Sequence, residues 1–336
     1  MIELSIIVPT YNRNAILREN LSRLLPQVNS ACRIVIIDNE SRTPVEETLR
    51  DLLDLYENRG ITIIRNKRNI GGNANIARCF ELCESEWLWI LGDDDRPNDD
   101  AIEVALRAIR EAADDCVYQN FATPGKHLRP NTFESQPGLE QFLTSMDDLG
   151  NCMFISSCLF RAGVMSREVQ FGFTFATTMI PHLLIAMLAI KRLRGRASFH
   201  RTALVTCGDA EDGGRHFVIL AHLGLGLLGS LPLFEDRERT QLRARIKYLL
   251  SGKALVAHIA FGRLHGEISY RAARSMVSRC AAEPHYRATA KCLLVFCRWA
   301  GFLIFSRFGC KIIVTAVDWL QRGKRVRIRH VSTSEM

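Results

Sequence analysis

Three consecutive aspartates stand at the end of a short apolar run in the first third of the chain. Trp87–Leu91 is apolar on both faces, as in a buried strand, and Asp93, Asp94 and Asp95 follow it. Adjacent carboxylates repel one another, so a cation or a donor-rich ligand has to neutralise them. Their oxygens suit Mg²⁺ or Mn²⁺, which also bind oxygens of a substrate phosphate. The motif therefore predicts such an ion, and a solvated acidic turn that caps the next helix is the alternative.

The aspartates belong to a regular alternation of strand and helix patterns over residues 1–120. The predicted strands are Leu4–Val8, Arg33–Ile37, Ile61–Ile64, Trp87–Leu91 and Cys116–Gln119. Helical patterns cover Arg13–Leu25, Thr43–Tyr56, Asn73–Cys83 and Ala101–Ala112. Such alternation predicts β-α-β units, and therefore an α/β fold with a mostly parallel, twisted central sheet flanked by helices.

Polar side chains follow the first three strands as well. Thr10 and Tyr11 come after the first strand, Asp38 after the second, and Asn69 shortly after the third. Right-handed crossovers bring these strand ends to one edge, where open α/β sheets bind ligands. A carboxylate there can accept from a base N–H or a ribose hydroxyl, and a tyrosine can cover a ring. Because no G-x-G-x-x-G or G-x-x-x-x-G-K-[ST] motif is present, we expect a nucleotide held by its base, ribose and a metal ion.

The charge of the chain is unevenly distributed. The net charge is +8, yet residues 1–120 carry 14 Lys and Arg against 21 Asp and Glu, whereas residues 236–336 carry 20 against 6. A basic C-terminal region favours an anionic partner, either a membrane surface or nucleic acid. The 11 cysteines form no C-x-x-C pair, which indicates buried thiols in a reducing compartment. Since the N-terminus lacks a basic leader, we expect a cytoplasmic protein.

The C-terminal region combines apolar helices with a basic stripe. Residues 286–305 are apolar except for Arg287, Lys291 and Arg298, which lie 4 and 7 residues apart and share one helical face. This pattern is typical of a helix in a membrane interface, so we predict peripheral binding to the cytoplasmic face of the inner membrane. A helical subdomain packed on the rest of the chain is the alternative. No aromatic-rich basic platform accompanies the cations, so no nucleic acid partner is expected.

Successive segments resemble the motifs of the family 2 glycosyltransferases. They are SIIVPTYNR (5–13), VIIDNES (35–41) and NKRNIGGNANIARCFELCESEWLWILGDDD (66–95). The resemblance covers the first 120 residues and continues more loosely to about residue 215. It implies the Rossmann-like GT-A fold, a nucleoside-diphosphate sugar donor and inversion at the anomeric carbon.

The resemblance also implies roles for individual residues. Those implied to contact the nucleotide sugar are Pro9, Thr10, Tyr11, Arg13, Asp38, Asn69, Gly71, Asp93 and Asp94. Asp93, Asp94 and Asp95 match the family's DXD element, in which we assign Asp95 to the metal and Asp93 to ribose or metal. Gly92 stands where many members carry a further acid, which leaves the register of the element open. Three cations either neutralise diphosphate or form a solvated loop: Arg65, Lys67 and Arg68.

An inverting transfer needs a general base within reach of the acceptor hydroxyl. In the family this base is usually an acid that opens a helix beyond the DXD element, but the corresponding stretch, Phe173–Gly195, contains no Asp or Glu. His182 is one candidate, with a core histidine as the alternative. The Gly-rich loop Cys207–His216 offers Asp209, Glu211 or Asp212 as another candidate base, of which we select Asp212, and His216 as a candidate metal ligand, with a surface turn as the alternative for this loop.

We divide the chain into a glycosyltransferase domain over residues 1–215 and a basic, apolar helical region over 216–336. The domain has a nucleotide-binding half (1–120) and an acceptor half (121–215). In the acceptor half, Cys152–Phe160 is predicted to be a strand. Its Ser156 and Ser157 either face the acceptor or form hydrogen bonds to the backbone inside the sheet.

The predicted activity is metal-dependent transfer of a sugar, with inversion, from a nucleoside-diphosphate sugar to an acceptor hydroxyl. The expected acceptor is a saccharide or a lipid-linked precursor of a surface polysaccharide. The alternative is a catalytically silent scaffold that binds a sugar nucleotide within a polysaccharide assembly complex. The missing acid in Phe173–Gly195 is the main support for that alternative.

Overall fold

A computed structural model describes most of the chain. The described residues are 2–55, 60–123, 129–146, 149–206, 224–249, 252–264, 266, 269–282, 288–306 and 308–316. The chain divides into two compact units, one formed by residues 1–210 with 233–245 and the other by 211–232 with 246–336. Asp212 and His216 lie outside the described residues, as do residues 217–223 and 317–336.

The first unit is built on an eight-stranded sheet whose first half is parallel. This half consists of β1 (Leu4–Thr10), β2 (Cys32–Asp38), β3 (Ile61–Arg65) and β4 (Trp87–Ile90). The strands lie in the order β3-β2-β1-β4. Thr10 pairs with Asp38, and Asp38 pairs with Arg65, so three strands end in register at one edge. The predicted convergence of these strand ends is therefore present in the fold.

The second half of the sheet mixes strand directions. It consists of β6 (Cys116–Phe121), β7 (Phe133–Glu134), β8 (Cys158–Phe160) and β9 (Arg196–His200). The order continues β4-β8-β6-β9-β7, with β8 antiparallel to both neighbours and β6 parallel to β9. Two short strands, β5 (Arg96–Pro97) and β10 (Val205–Thr206), pair separately. The α/β architecture with a mostly parallel central sheet is thus confirmed.

Helices cover both faces of the sheet. They are α1 (Asn14–Leu24), α2 (Val45–Leu55), α3 (Gly72–Glu81), α4 (Ala101–Arg110), α5 (Leu139–Ser145), α6 (Leu149–Met153), α7 (Val169–Thr174) and α8 (Pro181–Leu193). On one face, Leu21 of α1, Leu49 of α2 and Ile102 of α4 join the core under β1, β2 and β4. Helices α3, α7 and α8 pack against one another; α7 approaches α8 so closely that a Cβ on Gly172 would lie 2.6 Å from the Ile185 side chain.

The predicted strand over Cys152–Phe160 is wrong for most of its length. The segment contains the end of α6, a 3-10 turn over Ile155–Ser157 and only the three-residue strand β8. The Ser157 hydroxyl donates to the carbonyl oxygens of Asn151 and Phe154 at 3.0 and 2.7 Å. Such local side-chain to backbone bonds compete with a strand ladder, and apolar periodicity does not reveal them.

The second unit is helical where it is described. Its helices include residues 224–228 (α9), α11 (Gly252–Leu264), α12 (Tyr270–Ala282), α13 (Ala288–Trp299), α14 (Gly301–Ile304) and residues 308–316 (α15), while α10 (Asp236–Leu249) spans the division between the units. The predicted C-terminal helical region is therefore present. Within the described ranges, no helix is both long and apolar enough to cross a bilayer.

Asp38 ties the end of β2 to its neighbours. Its buried carboxylate accepts hydrogen bonds from the backbone N–H groups of Ser41 and Val45, at 2.8 and 3.3 Å, and forms an ion pair with Arg65. Arg65 also donates to the Ser41 carbonyl oxygen at 2.7 Å. Because Val45 is the first residue of α2, the carboxylate also lies at the positive end of that helix.

His182 lies in the core of the first unit. It occupies the second position of α8, which begins with Pro181 and is buried from there to Ile190. The imidazole is 2% exposed, meets the Phe160 ring edge-on, and has no hydrogen-bond partner on either nitrogen among the described residues. Burial lowers the pKa of His182 to about 4, so the ring is neutral at pH 7.

Replacing Asp38 by Asn should destabilise the fold. The amide retains the size of the side chain but removes the charge that Arg65 and the α2 N-terminus require. We expect a loss of about 2 kcal/mol in the free energy of unfolding, measured by urea denaturation. The exposed Asp51 on α2 provides the control, and Asp51→Asn should be near neutral. Unchanged stability of Asp38→Asn would contradict this structural role.

The burial of His182 predicts a pH dependence of stability. The folded-state pKa of about 4 lies below the ordinary value of 6.5, so between these two pH values unfolding is accompanied by uptake of a proton. Stability should fall as the pH drops from about 6.5 to 4, by about 3 kcal/mol from this residue. His182→Leu should flatten the slope measured by chemical denaturation between pH 6.5 and 5. His200, whose pKa is also lowered to about 4 by burial, still contributes in that variant. An unchanged slope would contradict the prediction.

Candidate active site

A cavity of about 380 Å³ opens at the carboxyl edge of β1, β2 and β4. It is lined by Pro9, Thr10, Tyr11, Arg13, Asn39, Gly72, Asn75, Ile76, Gly92, Asp93 and Ile155. The connections after β1, β2 and β4, the N-terminal part of α3 and the 3-10 turn before β8 thus contribute to one hollow. Tyr11 is 44% exposed at this cavity, so its ring is available to cover a planar ligand.

Asp93 joins the loops that follow β1 and β4. Its carboxylate accepts from the Thr10 hydroxyl at 2.6 Å and from the Arg13 guanidinium at 3.0 Å. The Asn20 amide of α1 donates to the Asp93 carbonyl oxygen at 3.0 Å. Arg13 also donates to Asp94 at 2.7 Å, so one cation bridges two of the three adjacent acids. This arrangement offsets the repulsion within the triplet.

Burial and charge act in opposite directions on Asp93. The residue is 6% exposed, and burial raises the pKa of its carboxyl above the ordinary value. The hydrogen bond from Thr10 and the charge of Arg13 act to lower that pKa. A further cation near the triplet would add to the stabilisation of the ionised form.

Asp95 faces a different partner. Its carboxylate accepts from the Ser156 hydroxyl at 2.6 Å, and the same hydroxyl accepts from the Gly92 N–H at 2.8 Å. A Cβ atom on residue 92 would lie 2.6 Å from the Asp95 carboxylate, so this approach needs glycine. An acidic side chain at position 92 would not fit the present arrangement.

A cluster of four asparagines lies at the cavity, and two of them, Asn39 and Asn75, line it. Asn66 donates to the Asn39 and Asn75 side-chain oxygens, both at 2.9 Å, and Asn39 donates to the Asn69 side-chain oxygen at 2.9 Å. Asn69 in turn accepts from the Gly71 N–H at 2.8 Å, where the chain adopts a φ of +84° that favours glycine. These bonds connect the ends of β2 and β3 to the start of α3.

The predicted site residues are only partly brought together. Those that line the cavity are Pro9, Thr10, Tyr11, Arg13 and Asp93. Asn69 accepts hydrogen bonds from Asn39, which lines the cavity, and from Gly71. Asp94 and Asp95 directly follow Asp93. Asp38, predicted to face the base, instead bonds within the chain, and its neighbour Asn39 lines the cavity. Asn39 was not singled out from the sequence, although its position directly after β2 could have predicted that it lines the cavity.

Two of the three cations at and after the end of β3 have partners within the chain. Arg65 forms an ion pair with Asp38 and donates to the Ser41 carbonyl oxygen. Arg68 pairs with Glu40 at 3.4 Å, and its side chain is 85% exposed. Lys67 is exposed.

Of the two candidate general bases, only His182 lies in the described part of the chain, and it does not reach the cavity. His182 is buried beside Phe160 and is not among the lining residues, which argues against its predicted role because an acceptor hydroxyl cannot approach it. Asp212 lies outside the described residues.

The donor set of the triplet fits a hard cation that shares its ligands with a substrate. Mg²⁺ in such sites takes one or two protein carboxylates and completes its shell with phosphate oxygens and water. Asp93 and Asp95 are the carboxylates that would hold such an ion. In the described part of the chain, no three His, Cys, Asp or Glu side chains form a complete metal cage. His216 lies outside that part.

The chain is similar to known glycosyltransferases in sequence. The model of glycosyl transferase family 2 matches residues 5–166. The abequosyltransferase RfbV of Salmonella typhimurium is 25% identical over 233 residues, which cover 62% of this chain and 67% of RfbV. Matches to two further curated glycosyltransferases span 35% of the length of each.

Solved structures share the fold at low sequence identity. Residues 1–349 of S. aureus TarS in complex with UDP-GlcNAc superpose with a TM-score of 0.56 at 12% identity, over 90% of this chain and 92% of that chain. The mannosyltransferase PcManGT of Pyrobaculum calidifontis, in complex with GDP-Man and Mn²⁺, gives a TM-score of 0.52 at 14% identity, over 89% and 87%. Residues 5–166 therefore belong to glycosyl transferase family 2, and the chain is a glycosyltransferase with the GT-A fold.

Proposed function

We propose that the cavity binds a nucleoside-diphosphate sugar together with Mg²⁺ or Mn²⁺ and that the chain transfers the sugar, with inversion, to an acceptor hydroxyl. The observation that carries this proposal is the bonding of Thr10 and Arg13 to Asp93 at the edge of the cavity. It brings a polar loop, a cation and an acidic triplet to one hollow. The neighbours solved with UDP-GlcNAc and with GDP-Man and Mn²⁺ support this class of donor.

Each group has a chemical task in this proposal. Tyr11 covers the base, while Asn39 lies at the end of the cavity that β2 forms. Asp93 and Asp95 hold the ion, which when bound stabilises the negative charge that develops on the departing diphosphate. Arg13 is 38% exposed beside the triplet, so its guanidinium can face the diphosphate as well as Asp93.

The general base for the acceptor is assigned to the loop 207–216. Inversion requires a base opposite the leaving group, and a carboxylate with a pKa near the working pH suits that task. Within the described ranges, the start of α8 supplies only the buried His182. Asp212 is therefore our candidate. A catalytically silent sugar-nucleotide scaffold is the second candidate function, because the described part of α8 supplies no accessible acid or base.

The second unit is proposed to bind the cytoplasmic face of the inner membrane, where a lipid-linked acceptor would be found. Its described surface exposes large apolar side chains: Phe296 at 62%, Leu303 at 72%, Phe308 at 76% and Ile312 at 55%. Arg298 and Lys311 are exposed on the same helices. Exposed apolar side chains beside cations fit the boundary between anionic headgroups and acyl chains.

The donor proposal predicts metal-dependent binding of a nucleotide. In thermal unfolding with UDP, GDP or dTDP sugars, a matching donor should raise the Tm of the wild type only when Mn²⁺ is present. Asp93→Asn and Asp95→Asn should each remove most of that rise, because one carboxylate cannot hold the ion as well as two. The exposed Asp99, four residues beyond Asp95, provides the control, and Asp99→Asn should behave as the wild type. Equal shifts in all four proteins would contradict the site.

A measurement of turnover distinguishes the enzyme from the catalytically silent scaffold. With the donor that binds, the full-length enzyme should transfer sugar to lipid-linked acceptors or hydrolyse the donor slowly. Asp212→Asn should lower the rate of transfer by at least about 100-fold while leaving the donor-induced Tm shift unchanged. Binding of the donor without turnover for every acceptor would favour the scaffold.

The membrane proposal predicts selective binding to anionic vesicles. The full chain should float with vesicles that contain phosphatidylglycerol and not with pure phosphatidylcholine. Phe308→Ser with Ile312→Ser should weaken binding by at least about tenfold, because two apolar side chains lose their burial. Arg298→Gln with Lys311→Gln should also weaken vesicle binding, and the loss should grow with the fraction of anionic lipid in the vesicles. Ile16→Ser, at an exposed apolar position of the first unit, is the control. Wild-type binding by both double variants would contradict the proposal.

A further inference from the structure

Ser156 occupies an unusual position between the backbone and an acid of the triplet. The residue is fully buried, and its hydroxyl lies 2.8 Å from the Gly92 nitrogen and 2.6 Å from an Asp95 oxygen. The Gly92 N–H can only donate, so the serine oxygen accepts from it. The single hydroxyl hydrogen is then directed to Asp95. The donor and the acceptor in each of these two hydrogen bonds are therefore determined.

Strand β4 holds Ser156 from two sides. The Trp89 indole N–H donates to the Ser156 carbonyl oxygen at 2.9 Å, and Trp89 is fully buried. Gly92, just beyond the end of β4, binds the hydroxyl of the same residue. The 3-10 turn that carries Ser156 also presents Ile155 to the cavity. The serine is thus anchored to the strand that delivers the acidic triplet.

Gly92 makes the approach of Asp95 to Ser156 sterically feasible. A Cβ on residue 92 would lie 2.6 Å from the Asp95 carboxylate, 3.2 Å from the Ser156 hydroxyl and 3.4 Å from the Asp94 carboxylate. Any other residue would therefore displace the Asp95 side chain from the serine. The glycine and the serine act on the same carboxylate.

We propose that Ser156 is a positioning residue that orients the Asp95 carboxylate for binding of the divalent ion, with Gly92 leaving the room that this orientation needs. The inference rests on the proposed function in so far as Asp95 binds an ion. A hydrogen bond from a neighbouring hydroxyl restricts the rotation of a carboxylate ligand. Loss of such an outer hydrogen bond lowers metal affinity by about 10- to 100-fold in known sites.

The adjacent serine provides a matched control. Ser157 is also buried, at 1% exposure, but its hydroxyl donates to the carbonyl oxygens of Asn151 and Phe154 and accepts from the Asn120 amide at 3.1 Å. Its hydrogen bonds are thus to the fold and not to the acidic triplet. Alanine at either position removes one buried hydroxyl from the same turn.

The test is the affinity of the full-length protein for Mn²⁺, measured by titration calorimetry and by the electron paramagnetic resonance signal of free Mn²⁺, in the presence of UDP, GDP or dTDP. Ser156→Ala should raise the Kd for Mn²⁺ by about tenfold or more. Ser157→Ala should lower the Tm without changing that Kd. Ser156→Thr, which retains the hydroxyl, should restore a Kd within a few-fold of the wild type.

A coupling measurement distinguishes orientation of Asp95 from a general loss of structure. In an Asp95→Asn background, Ser156→Ala should have no further effect on the Kd, because the carboxylate that it orients is absent. Gly92→Ala should raise the Kd as Ser156→Ala does. An equal Kd for Mn²⁺ in the two serine variants would overturn the role of Ser156 but not the proposed function. The same holds if Ser156→Ala raises the Kd as much in the Asp95→Asn background as in the wild type. Failure of the wild type to bind Mn²⁺ with any of the three nucleotides would overturn the proposed function itself.

Discussion

The site depends on keeping buried negative charge in place at the end of β4. Asp93 is almost fully buried next to two further aspartates, a position that is unfavourable for a carboxylate without partners. The Thr10 hydroxyl and the Arg13 guanidinium, both from the loop after β1, provide those partners. Because β1 and β4 are adjacent parallel strands, these short bonds join two segments 80 residues apart in sequence. The cavity lies beside these bonds.

The fold was predictable from the sequence because its parallel half has strong local signals. The runs that became β1 to β4 are apolar on both faces, and each is followed by a helix with apolar spacing. Parallel strands then must share an edge, so the convergence of Thr10, Asp38 and the aspartates followed from topology. The segment before β8 was not predictable in this way. Its apolar residues fit a strand, yet the Ser157 hydroxyl bonds locally to the Asn151 and Phe154 carbonyl oxygens and holds a turn, while the Asn151 amide donates to the Phe121 carbonyl oxygen at the end of β6.

The direction of single side chains at the strand ends was harder to predict than the strand ends themselves. Asp38 and Asn39 are adjacent and both polar, but the N-terminus of α2 and Arg65 attract the charged one into the protein. The uncharged Asn39 is left to line the cavity. In the same way, His182 lies on the helix where we expected the general base, yet α8 is surrounded by apolar neighbours that bury the ring. Residue type alone does not distinguish these outcomes.

We have proposed that side chains after β1, β2 and β4 surround one ion and one nucleotide. Anomalous diffraction from crystals grown with Mn²⁺ and the nucleoside diphosphate that binds is the decisive measurement. We expect a single manganese peak in contact with a carboxylate of Asp93 or Asp95 and with the diphosphate, and the base beside Tyr11 and Asn39. A manganese ion or nucleotide bound elsewhere, with the cavity at Asp93 empty, would contradict it.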